Sequence, residues 1–233
     1  MISRLNNAIF IHIPKAAGSS VEKVFNVLPF DWKVMDLENL VGWDPVNRIH
    51  LQHATVSQLI DFGFLTKMEF EKNYSFSIVR NPFDRAVSDY FYLSGRWKIK
   101  DSFENYILED GKFKKIFNKE IGMNWRGDHT TPQIRFITYK DVLFVNEVLK
   151  FEELSCSLPK LLNEKFKIDL SRLPHEKKSI ERKHYSEYIN KKNRYLLEKK
   201  YAKDFMAFDY KFENRSRFYL IDFFLKNKTN LIL

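Results

Sequence analysis

The sequence predicts an α/β fold, a central and mostly parallel sheet flanked by helices, and three observations carry that reading. Within Ala8–Phe25, Arg48–Gly63 and Tyr74–Tyr92 a short strand-like run leads into helix-start residues and then into apolar residues at helical spacing. A strand-then-helix order that repeats suits parallel neighbours, which need a crossover between them. At 233 residues and 44% hydrophobic composition, the chain can bury one sizeable core, so a single domain over residues 1–233 is expected.

In the first unit, Ile9, Phe10, Ile11 and Ile13 form a short β-branched run suited to burial on both faces, and Pro14 closes it. Val21, Val24, Phe25 and Leu28 then recur at i, i+3, i+4 and i+7, a helix face that Pro29 ends. Phe30 to Asn47 has no clear period and reads as an irregular excursion. Arg48 to His53 alternates as a strand would. Thr55 to Gln58 has the form of a capping box, and Gly63 suits a left-handed helix stop, placing His53 at a strand-to-helix junction. In the third unit Tyr74 to Val79 is the strand, Arg80 follows, and Asn81-Pro82 supplies a cap and a proline at the first helical position. Phe83, Ala86, Val87, Tyr90 and Phe91 form that helix's apolar arc, leaving Ser88 away from its centre. Beyond it, Ser102 caps a helix expected over Phe103 to Phe117, and Gly122 to Gln133 is a polar loop holding Trp125, Arg126, Asp128 and His129, the kind of loop that often contacts substrate. Val142 to Val145 is expected as a fourth apolar strand, Leu158 to Ile168 as a helix, and Tyr185 to Tyr201 as a basic amphipathic helix.

Composition excludes disorder: aromatics are 16%, with 22 Phe. Against 30 acidic residues stand 39 basic ones, a formal net charge of +9 that suits nucleotides, acidic saccharides, nucleic acid or a membrane surface without choosing among them. Cys156 is the sole cysteine, which rules out an intramolecular disulfide, and it reads as a packing residue. No stretch has the length and apolarity of a spanning helix, so a soluble, cytoplasmic protein is expected, with peripheral membrane contact left open.

The loop Lys15-Ala16-Ala17-Gly18-Ser19-Ser20 lies between a strand's end and a helix's start, where unpaired N–H groups and the helix dipole favour an anion. Small side chains at Ala16, Ala17 and Gly18 allow close approach, Ser19 and Ser20 add hydroxyl donors, and Lys15 adds a charge able to follow negative charge developing on a leaving oxygen. It is not a Walker A loop, because the lysine precedes the glycine and none follows it. Lys15, His53 and Arg80 are all expected at the C-terminal ends of sheet strands, where ligands collect in open α/β folds.

Two stretches resemble one family. HIPKAAGSS at His12 to Ser20 looks like the 5′-phosphosulfate loop, and VRNPFDRAVSDYFY at Val79 to Tyr92 like the 3′-phosphate motif, of carbohydrate sulfotransferases of the heparan-2-O-sulfotransferase and chondroitin-sulfotransferase type. Weaker echoes are His53 to Thr55, Pro132-Gln133, Val145 to Leu154 and Tyr201 to Tyr210, so the likeness spans most of the chain. Ala17 stands where glycine is frequent, and Ser19-Ser20 where a threonine-containing pair is common. The resemblance implies a P-loop-like three-layer fold and a soluble, bacterial-like enzyme that uses 3′-phosphoadenosine 5′-phosphosulfate (PAPS) as co-substrate, without a metal. A hydroxyl of a saccharide or glycoconjugate would be the acceptor, with nucleic acid not a partner. By the same resemblance Lys15 and His53 are catalytic, Lys15 on the bridging and sulfonate oxygens and His53 as the base. Gly18, Ser19 and Ser20, with their neighbours Ala16 and Ala17, hold the 5′-phosphate, and Arg80 and Ser88 the 3′-phosphate. Lys178 and Ser179 would close over the latter, beside the alternative of a solvated basic loop. His12, His50 and His129 read as core histidines, His129 also as an acceptor contact. The competing functions are a P-loop-type kinase, weakened by the missing Gly-Lys-Ser/Thr, and a non-catalytic polyanion binder whose affinity would fall steeply with salt.

Overall fold

A computed structural model of the chain describes residues 1–170 and 182–215. The strand, loop and helix start of the first unit form as read. β1 (Ile2–Ser3) leads to β2 (Ala8–Ile11), every residue of which is buried, and the chain turns at Lys15–Ala17 into α1 (Gly18–Val24). The helix ends earlier than Pro29 would dictate. Asn26 takes a left-handed φ of 57°, and the Val27 N–H donates to Glu22 O at 2.8 Å while the Asn26 N–H donates to Lys23 O at 3.0 Å, a paired C-terminal cap.

The excursion that follows contains β3 (Trp43–Asp44), which pairs antiparallel with β4 (Ile49–His50) in a two-stranded ladder of its own. The Arg48 to His53 strand is therefore corrected: only Ile49–His50 is extended, it lies outside the central sheet, and Leu51–His53 is a turn of 3₁₀ helix. His53 thus stands at a junction, but not at the end of a sheet strand. α2 (Val56–Asp61) starts at the expected capping box on Thr55 and Gln58, with Gly63 left-handed just beyond its end at φ 76°. α3 (Lys67–Lys72) precedes β5 (Tyr74–Val79).

α4 (Pro82–Trp97) has Asn81 as cap, its side chain accepting from the Phe83 N–H, and Pro82 at its start. The single helix expected over Phe103 to Phe117 is instead α5 (Phe103–Leu108) and α6 (Lys114–Phe117). The break lies at Glu109 and Gly111, both at positive φ, and a Cβ on Gly111 would come within 2.4 Å of the Asp101 carboxylate. α7 (Gln133–Ile137) ends in a hairpin of β6 (Thr138–Tyr139) and β7 (Val142–Leu143), joined through Lys140 and Asp141 at φ 49° and 63°, the two-residue turn that suits strand twist. The fourth strand is corrected accordingly. Val142 and Leu143 are 65% and 53% exposed, and the sheet strand is β8 (Glu147–Lys150).

α8 (Leu154–Phe166) begins four residues before the helix expected at Leu158 to Ile168 and ends two residues short of it, with Cys156 exposed on its surface instead of packed. The basic stretch from Tyr185 divides into a 3₁₀ turn (Tyr185–Glu187) and α9 (Lys191–Lys200), because the Asn190 side chain caps the helix anew; α10 (Ala202–Phe208) follows. Lys178 and Ser179 lie outside the described residues.

The central sheet has the order β1-β2-β5-β8, with β2, β5 and β8 parallel and β1 antiparallel at one edge. One core packs β2 and β5 with Val21, Phe25, Leu59, Leu158 and Leu162; a second, helical core joins Phe83 and Val87 of α4 to Tyr106, Phe113 and Leu197. The C-terminal ends of β2 and β5 lead directly into His12 to Ala17 and into Arg80. Among the described residues no helix is long and apolar enough to cross a membrane.

Candidate active site

Parallel pairing of β2 with β5 brings the loop after one strand against the residue after the other. Arg80 donates from Nη1 to Lys15 O at 3.0 Å, so the two expected anion grips are in contact. Arg80 is held from three other sides: Nη2 lies 2.6 Å from Asp84, Phe151 covers the guanidinium at 4.1 Å, and its backbone exchanges reciprocal hydrogen bonds with the Gln133 amide at 2.9 and 2.8 Å. Gln133 is fixed in turn, because buried Asp204 accepts from the N–H groups of Gln133 and Ile134 at 2.8 and 2.9 Å. Burial would raise the Asp84 carboxyl, but Arg80 and Arg182, both paired with it, hold it low. Ser88, half-buried, is one helical turn beyond Asp84 on α4.

In the loop, Lys15 and Ala17 adopt left-handed φ of 69° and 64°, which costs about 1 kcal/mol at each non-glycine residue and shapes a concave run of backbone. Ser19 and Ser20 lie half-buried in the first turn of α1. Two small residues have a different reason than anion approach. Ala16 is packed into the core, and a Cβ on Gly18 would lie 2.0 Å from the His12 ring, so glycine here is demanded by the histidine. His12 donates from Nδ1 to buried Glu22 at 2.6 Å.

Around this loop four imidazoles gather. The His53 ring is 4.7 Å from His12, 5.4 Å from His129 and 6.4 Å from His50. His53 bonds through Nδ1 to Asp128 Oδ2 at 2.6 Å, and His129 through Nδ1 to Asp89 Oδ1 at 2.5 Å. Lys15 Nζ sits 4.0 Å over the Tyr92 ring, which is stacked on His129 at 5.8 Å with planes 3° apart. A continuous wall of rings therefore runs from the Lys15 ammonium to His53.

The charge states follow from burial and partners. Burial drives His53 well below the ordinary histidine value, more than Asp128 restores, so the ring is neutral at pH 7. Burial would raise Asp128, but His53 and His129 outweigh it and the carboxylate is ionised. A neutral imidazole beside a carboxylate places its proton on Nδ1 and leaves Nε2 as an acceptor, the form of a general base. At His50, Nε2 faces two groups, the Arg126 Nη1 donor at 2.8 Å and the Met123 carbonyl acceptor at 3.0 Å, while buried Nδ1 has no hydrogen-bond partner among the described residues. His53, Asp128 and His129 present ligand atoms within 4.8 Å of one another, and with Nδ1 of each histidine bonded to a carboxylate, Nε2 is the ring nitrogen left to each.

Arg85, only 2% exposed, builds the frame for all of this: it donates to Pro14 O at 3.0 Å, to Thr131 O at 3.0 Å and to His129 O at 2.8 Å, tying the first loop to the Asp128 turn. The sequence alone gives Arg85, Asp89 and Tyr92 no individual role, and Asp128 only a place in a polar loop of the kind that often contacts substrate. A signal was present, since Arg85, Ser88, Asp89 and Tyr92 fall at i, i+3, i+4 and i+7, a polar stripe on a second face of α4.

A family model described as "Sulfotransferase family" matches residues 1–211. Among solved structures, mouse sulfotransferase SULT7A1 complexed with PAP is similar at 14% sequence identity, covering 84% of this chain and 83% of that one with a TM-score of 0.48. No curated protein matches the chain.

Proposed function

The chain belongs to the sulfotransferase family, and from that premise we propose that it moves a sulfuryl group from PAPS to a hydroxyl of a saccharide or glycoconjugate. The observation that carries the proposal is the Arg80 to Lys15 O hydrogen bond. PAPS has two separated anionic groups, and this contact makes their two expected grips neighbours on one sheet end. Family membership also selects this reading over the kinase and the non-catalytic polyanion binder.

On this reading the backbone of Ala16 to Ser20 and the hydroxyls of Ser19 and Ser20 hold the 5′-phosphate, and Arg80 and Ser88 the 3′-phosphate. His53 Nε2 takes the proton of the acceptor hydroxyl as its oxygen bonds to sulfur. Asp128 steadies the imidazolium that results. As the bond from sulfur to the bridging oxygen breaks, the electron pair stays on the 5′-phosphate of adenosine 3′,5′-bisphosphate (PAP), and the Lys15 ammonium meets that charge. Sulfuryl transfer, like phosphoryl transfer, rests on position and charge stabilisation more than on covalent help from the protein.

The test is transfer of labelled sulfate from PAPS to a panel of glycans, with product mass spectrometry, for wild type and His53→Ala. The variant should bind PAP with wild-type affinity by calorimetry and lose transfer by a hundredfold or more. A folded protein that gives no heat with PAP, or a variant with unchanged turnover, contradicts the proposal.

A further inference from the structure

Lys15 is held at both ends by residues that belong to α4 or directly precede it. Its carbonyl accepts from Arg80, next to the Asn81 cap, and its ammonium lies 4.0 Å from the ring centroid of half-buried Tyr92, about three turns into the helix. Tyr92 is fixed from behind. Its ring is stacked on His129, His129 bonds through Nδ1 to Asp89 Oδ1, and Asp89 Oδ2 accepts from the Tyr106 hydroxyl at 3.0 Å. Asp89 and Tyr106 are buried in the helical part of the protein, so this support is rigid. Burial would raise the Asp89 carboxyl, but His129, and behind it Lys15 and Arg85, hold it low. Cation, phenol ring, imidazole and carboxylate therefore stand in series, from the loop into the core.

The series answers a difficulty in the use of lysine. Its ammonium rides on a flexible four-carbon stem, and confining that stem costs rotamer entropy when an anion binds. A carboxylate partner would confine it but would also neutralise it and compete with the incoming anion. A π face attracts the ammonium while leaving its charge and N–H donors for a phosphate oxygen. We propose that Tyr92 is the positioning residue for Lys15: its ring, braced by the His129–Asp89 pair, sets the ammonium beside the anion loop before the nucleotide arrives. This inference rests on the sulfotransferase reading and deepens it, because it adds a residue that acts through Lys15 on the leaving-group side of the transfer. No bond to Tyr92 forms or breaks.

The experiment is calorimetry of the full chain with PAP and with adenosine 3′-phosphate, which lacks the 5′-phosphate, across a double-mutant cycle of Tyr92→Leu and Lys15→Met. Tyr92→Leu should weaken PAP by about three- to tenfold, the range of a partly buried cation–π contact, and adenosine 3′-phosphate by less than about twofold. In the Lys15→Met background the same replacement should change PAP affinity by less than about twofold, since only an effect exerted through Lys15 vanishes with it. Tyr92→Phe, which keeps the π face, should restore PAP binding to within about twofold of wild type. Should Tyr92→Leu not fold, fluorinated phenylalanines at position 92 decide: successive ring fluorines weaken the hold on a cation at nearly constant shape, and PAP affinity should fall with each. A lysine ε-proton resonance, assigned by its loss in Lys15→Met, should lie upfield of the other lysines through the Tyr92 ring current. An equal loss in both backgrounds, a matching loss for adenosine 3′-phosphate, no loss, a flat fluorinated series or an unshifted Lys15 resonance overturns the inference. Absence of PAP heat from folded wild type is a different failure, that of the sulfotransferase reading, and in that event the Lys15 resonance alone decides whether Tyr92 holds the ammonium.

Discussion

Under the proposed mechanism, replacing Asp128 with asparagine isolates the part of catalysis that depends on the orienting carboxylate. The substitution keeps shape and removes charge at the atom 2.6 Å from His53 Nδ1. In the free enzyme little changes, because His53 is already neutral. If the ring takes the acceptor's proton as proposed, an imidazolium forms within a buried site, and Asp128 is the anion that faces it. With the charge centres about 4 Å apart and an effective dielectric near 20, the attraction is about 4 kcal/mol. Relaxation and water entry reduce that, so a loss of about 2–4 kcal/mol is expected, a fall in turnover of roughly 30- to 1,000-fold at about 1.4 kcal/mol per decade. If the amide instead presents its NH₂ to Nδ1, the ring adopts the other tautomer and Nε2 ceases to accept, which acts in the same direction. The assay is single-turnover sulfate transfer at saturating PAPS, with PAP affinity measured beside it. PAP affinity should be unchanged, since Asp128 is bonded to the base and its own turn and not to the Lys15 loop. Turnover within threefold of wild type would refute the argument, and so would a loss that appears only as weaker PAP binding.

Arg85→Met strips charged donors from the carbonyls of Pro14, His129 and Thr131 in a buried setting; urea unfolding should register a loss of about 3–5 kcal/mol, and a loss under 1 kcal/mol would show the frame to be unimportant. His50, held down to about 4 mainly by burial with Asp128 opposing and Arg126 assisting, should make the fold acid-sensitive. The unfolded chain binds that proton below the ordinary value of 6.5 while the folded chain does so only near 4, so stability should fall by about 3 kcal/mol between those limits. His50→Phe should flatten that slope, and an unchanged slope contradicts the assignment. His53, neutral well below its ordinary value, should keep kcat/KM level from pH 7.5 down through 6.5; a profile that halves at 6.5 or above would mean that the working base titrates normally.

What could be read in advance was local. The buried run of β2, the Thr55 capping box, the Asn81-Pro82 start of α4 and the positions of Lys15 and Arg80 each depend on a few adjacent residues, and they formed as read. What escaped depends on distant partners. Val142 and Leu143 look like core strand residues, yet the left-handed pair Lys140-Asp141 turns them into an exposed hairpin, while β8, with one fully apolar-facing position at Leu149, is too mixed to stand out. Ser102 signals a helix start correctly, but nothing short of the Asp101 carboxylate crowding Gly111 reveals where that helix stops. His53 was placed at the right junction for the wrong reason, since its strand belongs to a separate ladder and it is packing against His12 that brings it to the loop. Asp128 lay in a loop marked as polar, and its pairing with a histidine 75 positions away has no sequence periodicity to announce it.

The central claim is that one nucleotide is gripped by the Lys15 loop at one end and by Arg80 at the other. Calorimetric titration of wild type and Arg80→Ala with PAP and with AMP, which lacks the 3′-phosphate, measures it directly. Wild type should prefer PAP over AMP by at least tenfold, and Arg80→Ala should abolish that preference while leaving AMP affinity within about threefold, as expected for one charged contact worth roughly 1.5–3 kcal/mol. A preference for PAP that persists in the variant, or equal binding of both nucleotides by wild type, would contradict the account.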